Sequence, residues 1–141
     1  MIRVTLAFVV VGLTIAAVSA QTESSRPRDP AWTAPADASG RVNPLASRPQ
    51  LSAGGKKLFG QRCRTCHGDD RRGTDRAPDL TSPAVQAQTD GALYWKISGG
   101  NSRAGMPSFS FLPEPQRWQL VLYLRDGAIS ADSSLHFRDT P

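Results

Sequence analysis

The chain has 141 residues and a formal net charge of +5, with 17 lysines and arginines against 12 aspartates and glutamates. This length corresponds to one domain. The basic charge does not indicate nucleic-acid binding, because the sequence contains no motif of that class and its first residues predict export.

Residues 1–20 have the layout of a secretory signal peptide. Arg3 precedes an apolar run that ends at Val18, and Ala20 completes a small-residue cleavage site. The run is shorter than the roughly 20 residues that span a bilayer. We therefore expect cleavage after Ala20 and export to the periplasm. An uncleaved membrane anchor is the alternative.

Residues 21–50 are rich in proline, serine and alanine and show no apolar period, which predicts a flexible tether. Trp32 is interpreted as an exposed aromatic within this tether. The folded domain is expected to cover residues 51–127, followed by a C-terminal tail over 128–141. A domain this small is marginally stable unless a covalent or bound group completes its core.

Three main helices are predicted within the domain, joined by long loops. The first begins with Ser52 as its N-cap and extends to about Cys66. Gly54 and Gly55 weaken its first turn by about 1 kcal/mol each relative to alanine, so a packing reason for them is expected.

The chain from 68 to 88 is charged and rich in turn residues, and Pro78 and Pro83 argue against a regular element there. A second helix is predicted over 89–100, capped by the threonine or aspartate at its start. A loop follows over 101–112, and a third helix over 113–127 ends at its glycine. No strand is predicted, so the fold class is all-α.

The segment CRTCH places Cys63 and Cys66, the only two cysteines of the chain, directly before His67. A redox dithiol of the thioredoxin type would require a strand–helix–strand unit, which the sequence does not predict. A structural zinc site would require four ligands, and outside the motif the chain offers only His136.

Covalent attachment of a c-type haem accounts for all three residues. On a helix, residues i and i+3 share a face, so the thiols of Cys63 and Cys66 lie side by side, as thioether bonds to two neighbouring vinyl groups require. His67 follows at a position from which its imidazole can reach the iron. The export signal upstream agrees with this interpretation.

Met106 is the leading candidate for the second axial ligand of the iron, since Met1 is the only other methionine. It lies in the loop segment AGMPSF, where Gly105 allows close backbone approach and Pro107 stiffens the chain. A core-filling methionine is the alternative use of this residue, and His136 is the alternative ligand.

Residues 51–127 resemble the class I cytochromes c, in particular small bacterial monohaem domains that occur with periplasmic dehydrogenases and oxidases. Gly55 and Phe59 match the glycine and the aromatic residue of that family's N-terminal helix. Leu120 and Tyr123 match the residues of its C-terminal helix that cross them. The resemblance implies the class I cytochrome c fold around one covalent haem c, and it gives Gly55 its packing reason, because a bare Cα lets two helices cross closely.

The segment APDL resembles the proline–leucine segment of the same family. The resemblance implies that the Pro78 carbonyl accepts the Nδ1–H of His67 and that Leu80 packs on the haem. Trp95 and Trp118 are expected on the haem side or in the core, with Trp95 as the candidate haem contact.

Ligation by His67 and Met106 would fill both axial positions and leave no open site for a substrate, so the expected role is electron transfer rather than catalysis. We expect a fairly high-potential, low-spin carrier of single electrons in a respiratory or dehydrogenase-linked chain, with electrons passing through the haem edge near Cys63 and Cys66. Two alternatives remain open. One is a subunit of a larger oxidoreductase, and the other is a haem sensor or peroxidase-like enzyme whose Met106 bond is labile.

Redox proteins are the expected partners: a dehydrogenase as donor, an oxidase as acceptor, or both. Arginines flank the attachment segment, and an acidic face on a partner would complement them. The alternative is a solvated surface of mixed charge, since aspartates lie among the arginines. The arginines are Arg62, Arg64, Arg71, Arg72 and Arg76, and the aspartates are Asp69, Asp70 and Asp75.

Overall fold

The computed structural model describes residues 32–136 of the chain, with side chains for residues 32–126. The predicted signal peptide and residues 21–31 lie outside this part. The described residues form six α-helices and two 3-10 turns, with no β-strand and one isolated antiparallel bridge between Asn101 and Met106. The helices are α1 (Ala36–Ser39), α2 (Ser52–Arg62), α3 (Arg64–His67), α4 (Pro83–Gln86), α5 (Asp90–Gly99) and α6 (Glu114–His136), and the 3-10 turns are Pro49–Leu51 and Ser102–Ala104.

The predicted all-α class is confirmed, and only α2, α5 and α6 are longer than about one turn. Helix α5 begins and ends as predicted. Thr89 Oγ1 accepts the N–H of Ala92 at 3.1 Å, and Gly100 follows the helix with a φ of 65°. In the range 32–136, no helix has the length and apolar character that crossing a membrane requires.

Helices α2 and α6 cross closely at Gly55. An ideal Cβ on this glycine would overlap the backbone carbonyl of Gln119 and lie 2.9 Å from the Cβ of Tyr123. One turn later, the ring of Phe59 packs on that of Tyr123 with 5.3 Å between the centroids. A Cβ on Gly54 would meet only the flexible side chain of Gln119. Gly55 therefore has the packing reason that the sequence requires.

The hydrophobic core lies where α2, α5 and α6 meet. Trp118 is 1% exposed, and its ring stacks on Tyr94 with 4.1 Å between the centroids. The loop between α5 and α6 contributes Phe109 and Leu112, so this loop is anchored in the core. The buried cluster comprises Phe59, Leu93, Tyr94, Ile97, Phe109, Leu112, Trp118, Leu120, Val121 and Leu124.

Residues 32–50 pack against the domain, so the prediction of a flexible tether is wrong for this part of the chain. Helix α1 lies on the start of α5, where an ideal Cβ on Gly91 would overlap the carbonyl oxygen of Ala38. Thr89 Oγ1 donates to the Ser39 carbonyl at 2.7 Å across the same contact. Only a glycine at position 91 lets the two backbones approach this closely.

Two polar residues fix the next part of this segment. Asn43 is 2% exposed, and its Nδ2 donates to the Trp118 carbonyl at 3.3 Å. The Arg41 guanidinium lies over the rings of Tyr94 and Trp118, 4.6 and 5.2 Å from their centroids, and donates to Glu114 Oε1 at 2.5 Å. A segment held by isolated polar contacts has no hydrophobic period, which is why its composition resembles that of a tether.

The first predicted helix is two helices in the structure. Helix α2 ends at Arg62, and Cys63, with φ −118° and ψ −33°, separates it from α3. The predicted capping role of Ser52 is wrong, because its side chain makes no capping bond and the 3-10 turn Pro49–Leu51 leads directly into α2.

Two further boundary predictions are wrong. Pro83 is the first residue of α4, where its missing N–H leaves no helical hydrogen bond unmade. Gly127 does not end α6, which continues to His136, because a glycine lowers helix stability by about 1 kcal/mol without removing a backbone bond. The predicted tail is therefore helical over residues 128–136, and residues 137–141 lie outside the described part.

We expect Gly55→Ala to lower the free energy of unfolding of the holoprotein by about 3 kcal/mol, since the added Cβ has no space against the backbone of α6. Gly60→Ala is the matched control in the same helix, because a Cβ there meets nothing within 4 Å. It should raise the stability by up to about 1 kcal/mol. Urea unfolding followed by circular dichroism measures both, and equal effects would contradict the close crossing.

Candidate functional site

The two cysteines and the histidine lie on the tight turn that joins α2 to α3. The N–H of Cys63 donates to the Phe59 carbonyl at 2.8 Å, which still belongs to the pattern of α2. The carbonyl of Cys63 then accepts the N–H groups of Cys66 at 3.1 Å and His67 at 3.0 Å. The change of direction at Cys63 thus places all three side chains within one turn of helix.

The two cysteines are not joined by a disulfide. Cys63 is half-buried against the core, and burial raises the pKa of its thiol to about 11, with the nearby Cys66 adding to the rise. Across the described side chains, no three of His, Cys, Asp or Glu form a group that could hold a metal ion. The described residues therefore do not supply the four ligands that a structural zinc site requires.

One ring nitrogen of His67 is hydrogen-bonded to a backbone carbonyl. Its Nδ1 lies 3.2 Å from the carbonyl oxygen of Pro78. A carbonyl oxygen can only accept, so Nδ1 carries the proton and Nε2 keeps its lone pair. Burial lowers the pKa of His67, against the opposing effect of the Pro78 hydrogen bond, and so favours the neutral imidazole. A neutral imidazole with Nε2 available is the form that binds a metal.

The loop after His67 folds back to present the Pro78 carbonyl. Gly73, with φ +83°, donates its N–H to the His67 carbonyl at 2.9 Å, and Thr74 donates its N–H to Ala77 O at 3.0 Å. The Thr74 hydroxyl donates to the Cys66 carbonyl at 2.5 Å. An ideal Cβ on Gly73 would lie 2.6 Å from Ala77 O. Gly73 therefore permits both the left-handed turn and the close approach of the segment that carries the Pro78 carbonyl.

Arg71 ties the same loop to α6. It is the one residue other than glycine with positive φ in the described part, at +68°. Its guanidinium lies 4.7 Å from the ring centroid of Tyr123 and donates to the Tyr123 carbonyl at 2.6 Å. In the sequence, Arg71 is one of the arginines that flank the attachment segment, and its position in a turn-rich stretch carries no signal of this anchoring contact.

Met106 lies at the base of the loop between α5 and α6. Asn101 and Met106 exchange two backbone hydrogen bonds of 2.9 Å each, and Gly105 takes a left-handed φ of 82° just before Met106. Asn101 Oδ1 also accepts the N–H of Ala104 at 3.3 Å, which caps the 3-10 turn. A cavity of about 350 Å³ borders this loop, lined by Gly99, Ser102, Gly105, Met106, Pro107 and Ser108.

Three of the predicted site residues pack against the hydrophobic core. Cys63, Leu80 and Met106 are all half-buried and all pack against the core cluster. Trp95 is half-buried on α5 and is not part of that cluster, whereas Trp118 lies within it. The side chain of His136 lies outside the described part.

These residues fit a c-type haem. The chain presents two adjacent thiols for covalent attachment, a neutral imidazole with Nε2 available, and a thioether that borders the same apolar core. Thioether and imidazole are an axial pair that cytochromes c use, and an apolar border suits a porphyrin.

The family model described as cytochrome C oxidase, cbb3-type, subunit III matches residues 50–124. The chain belongs to this family. No curated protein and no solved structure matches the chain. Membership identifies a c-type cytochrome domain, and with it haem c and haem-based electron transfer, as a carrier or as a redox subunit. The resemblance to small cytochromes c is thereby confirmed.

We expect Gly73→Ala to lower the free energy of unfolding of the holoprotein by about 3 kcal/mol or more. The alanine would have to adopt a left-handed φ, and its Cβ would collide with the backbone from Ala77 to Asp79. Gly105→Ala is the matched control. It has nearly the same φ but meets nothing within 4 Å, so it should lose only about 1–2 kcal/mol. If both variants lost the same stability in urea unfolding, the close approach of Gly73 to the backbone around Pro78 would contribute nothing to the cost of Gly73→Ala.

Proposed function

We propose that the protein is an exported monohaem cytochrome c that carries single electrons between redox proteins of a respiratory or dehydrogenase-linked chain. The observation that supports this most directly is the 3.2 Å contact between His67 Nδ1 and the Pro78 carbonyl, which leaves Nε2 available as an axial ligand. Export to the periplasm is supported by the signal-peptide layout of residues 1–20.

Each site residue has a role in this proposal. Cys63 and Cys66 would hold the haem by thioether bonds, and His67 Nε2 and the Met106 sulfur would bind its iron. When bound, the haem supplies the one-electron couple. Leu80 would exclude water from that couple, and Trp95 is a further candidate contact of the haem.

The surroundings of the couple favour the reduced state. The Met106 thioether is a soft, neutral ligand, and the half-buried Leu80 packs against the same hydrophobic core. Both properties disfavour the additional positive charge of the oxidised iron, so we expect a fairly high potential. With His67 and Met106 both bound, no axial position is left for a substrate.

We expect Met106→Ala to convert a low-spin holoprotein that does not bind carbon monoxide into one that binds it, because the substitution opens one axial position. The absorption spectrum of the reduced protein with and without carbon monoxide measures this. His136→Ala tests the other candidate ligand and should leave the spectrum unchanged.

Two results would contradict the axial assignment. If His136→Ala produced the carbon monoxide complex and Met106→Ala did not, the second ligand would be His136. If the unmodified protein bound carbon monoxide readily, the sensor or peroxidase-like alternative would be favoured over the carrier.

An aromatic and several arginines form a candidate docking surface beside the attachment turn. Phe111 is 65% exposed, and the guanidinium of Arg62 lies 5.9 Å from its ring centroid. The pairs Arg64–Asp69 and Arg72–Asp70 are long, at 3.5 and 3.8 Å, with all four side chains more than half exposed. Ion pairs that are this long and exposed are weak, so the positive charges of Arg64 and Arg72 remain available to interact with a partner protein. The surface suits an acidic protein face with an apolar centre.

A second candidate function is that of a subunit in a stable oxidoreductase complex. The family description names an oxidase subunit, which favours this candidate. The two candidates differ in how firmly the chain holds its partner. A charge-steered carrier dissociates when salt screens the docking surface, whereas a subunit with an extensive apolar interface does not.

Purification of the tagged, full-length chain from its native host distinguishes them. For a carrier we expect the chain to elute alone in 1 M salt, where the Debye length is about 3 Å. Arg62→Gln should weaken any association seen at low salt, and Arg48→Gln, an exposed arginine outside the docking surface, should not. Retention of an oxidase or dehydrogenase at 1 M salt would identify a subunit and contradict the free carrier.

A further inference from the structure

Trp32 contacts the loop that carries Met106, although it lies far from that loop in the sequence. Its indole Nε1 donates to the Gly100 carbonyl at 2.8 Å, a bond between residues 68 positions apart. The ammonium group of Lys96 lies 4.6 Å from the centroid of the Trp32 ring. Trp32 is half-buried in this position. The contact is therefore both a hydrogen bond and a packing contact at the end of α5.

Gly100 is packed directly on the backbone at Met106. With φ +65°, it brings its Cα so close that an ideal Cβ would lie 2.7 Å from the Met106 carbonyl and would overlap that of Pro107. The next residue, Asn101, exchanges both backbone hydrogen bonds with Met106. A displacement of Gly100 therefore moves the base of the loop, because Gly100 and Met106 have no intervening space.

The segment that carries Trp32 is itself anchored along α5. From the Gly100 contact it runs to the start of that helix, where α1 packs on Gly91 and the Ser39 carbonyl accepts from Thr89. The buried Asn43 then ties the chain to α6. Three attachments fix the segment, so the indole is presented to the loop by a supported backbone.

We propose that Trp32 is a positioning residue for Met106: by holding the Gly100 carbonyl, it keeps the base of the loop in the arrangement that presents the thioether. This role rests on the proposed ligation by His67 and Met106. The bond of iron to a thioether is weak, so an added ligand displaces it more easily when the loop opens more easily. A loop held in its binding arrangement loses less entropy when the bond forms.

The test uses the full-length holoprotein and two measurements: the long-wavelength absorption band of ferric haem with a thioether ligand, and the affinity for added imidazole. Trp32→Phe keeps a ring but removes the N–H donor. We expect it to bind imidazole about fivefold more tightly, the effect of one lost hydrogen bond. Trp32→Ala, which also loses the ring, should show a larger increase.

Val121→Ala is the stability control. Val121 is 0% exposed in the core cluster, so its truncation lowers stability through lost core packing. It should lower the urea midpoint and leave the imidazole affinity unchanged. If a general loss of stability were the cause, Val121→Ala would raise the imidazole affinity at least as much as Trp32→Phe does, and that result would overturn the positioning role.

Failure of this inference is separable from failure of the ligation on which it rests. If the unmodified protein lacks the thioether band, Met106 is not the ligand and both proposals fall. If the band is present and neither Trp32 variant changes the imidazole affinity, the ligation stands and only the role of Trp32 is refuted.

Discussion

The close crossing of α2 and α6 at Gly55 determines where the cysteine motif lies. With a backbone carbonyl in the space that a Cβ would occupy, α2 cannot shift or rotate without separating from α6. The tilted packing of the Phe59 ring on Tyr123 extends the contact toward Cys63, the residue at which the chain turns. Cys63 is therefore presented at a fixed distance from the core, before any cofactor is considered.

Helix α6 supports the other elements of the site as well. Its carbonyls at Tyr123 and Leu124 accept from Arg71 and from Gln86, which hold the loop after His67 and helix α4. Arg125 then binds Asp90 at the start of α5 at 2.9 Å and also reaches the carbonyls of Gln86 and Gln88. One helix thus positions the segments on both sides of the candidate site. Substitutions in α6 should for this reason displace the loop after His67, helix α4 and the start of α5 together.

The sequence supplies candidates for the chemistry of the site but does not show the contacts that support them. A short motif with fixed spacing makes Cys63, Cys66 and His67 candidates, and the scarcity of methionine makes Met106 one, because ligand chemistry requires particular residue types. The contacts of Arg71 and Gly73 require only a suitable backbone path, which many residue types could follow. Such contacts depend on tertiary placement and leave no pattern in one sequence.

The same distinction explains the errors in the predicted boundaries. Ser52, Pro83 and Gly127 belong to residue types that often mark the ends of helices. Whether a helix begins or ends at such a residue depends also on the neighbouring residues and their contacts. Composition likewise predicts a tether over residues 21–50, because it reflects only the low hydrophobic content of the segment. It does not show that individual side chains such as Arg41 and Asn43 bind the folded domain.

The two sides of the candidate site are supported differently, and the N-terminal residues 32–50 help to support the side that carries Met106. Cys63 and His67 lie on a turn that α6 fixes directly, through Gly55 and Arg71. The Met106 loop is anchored in the core by Phe109 and Leu112, and its base is held by Asn101 and, from outside the family match over 50–124, by Trp32. The histidine side of the candidate site therefore depends on contacts within the matched region, while the methionine side depends in part on a segment outside it.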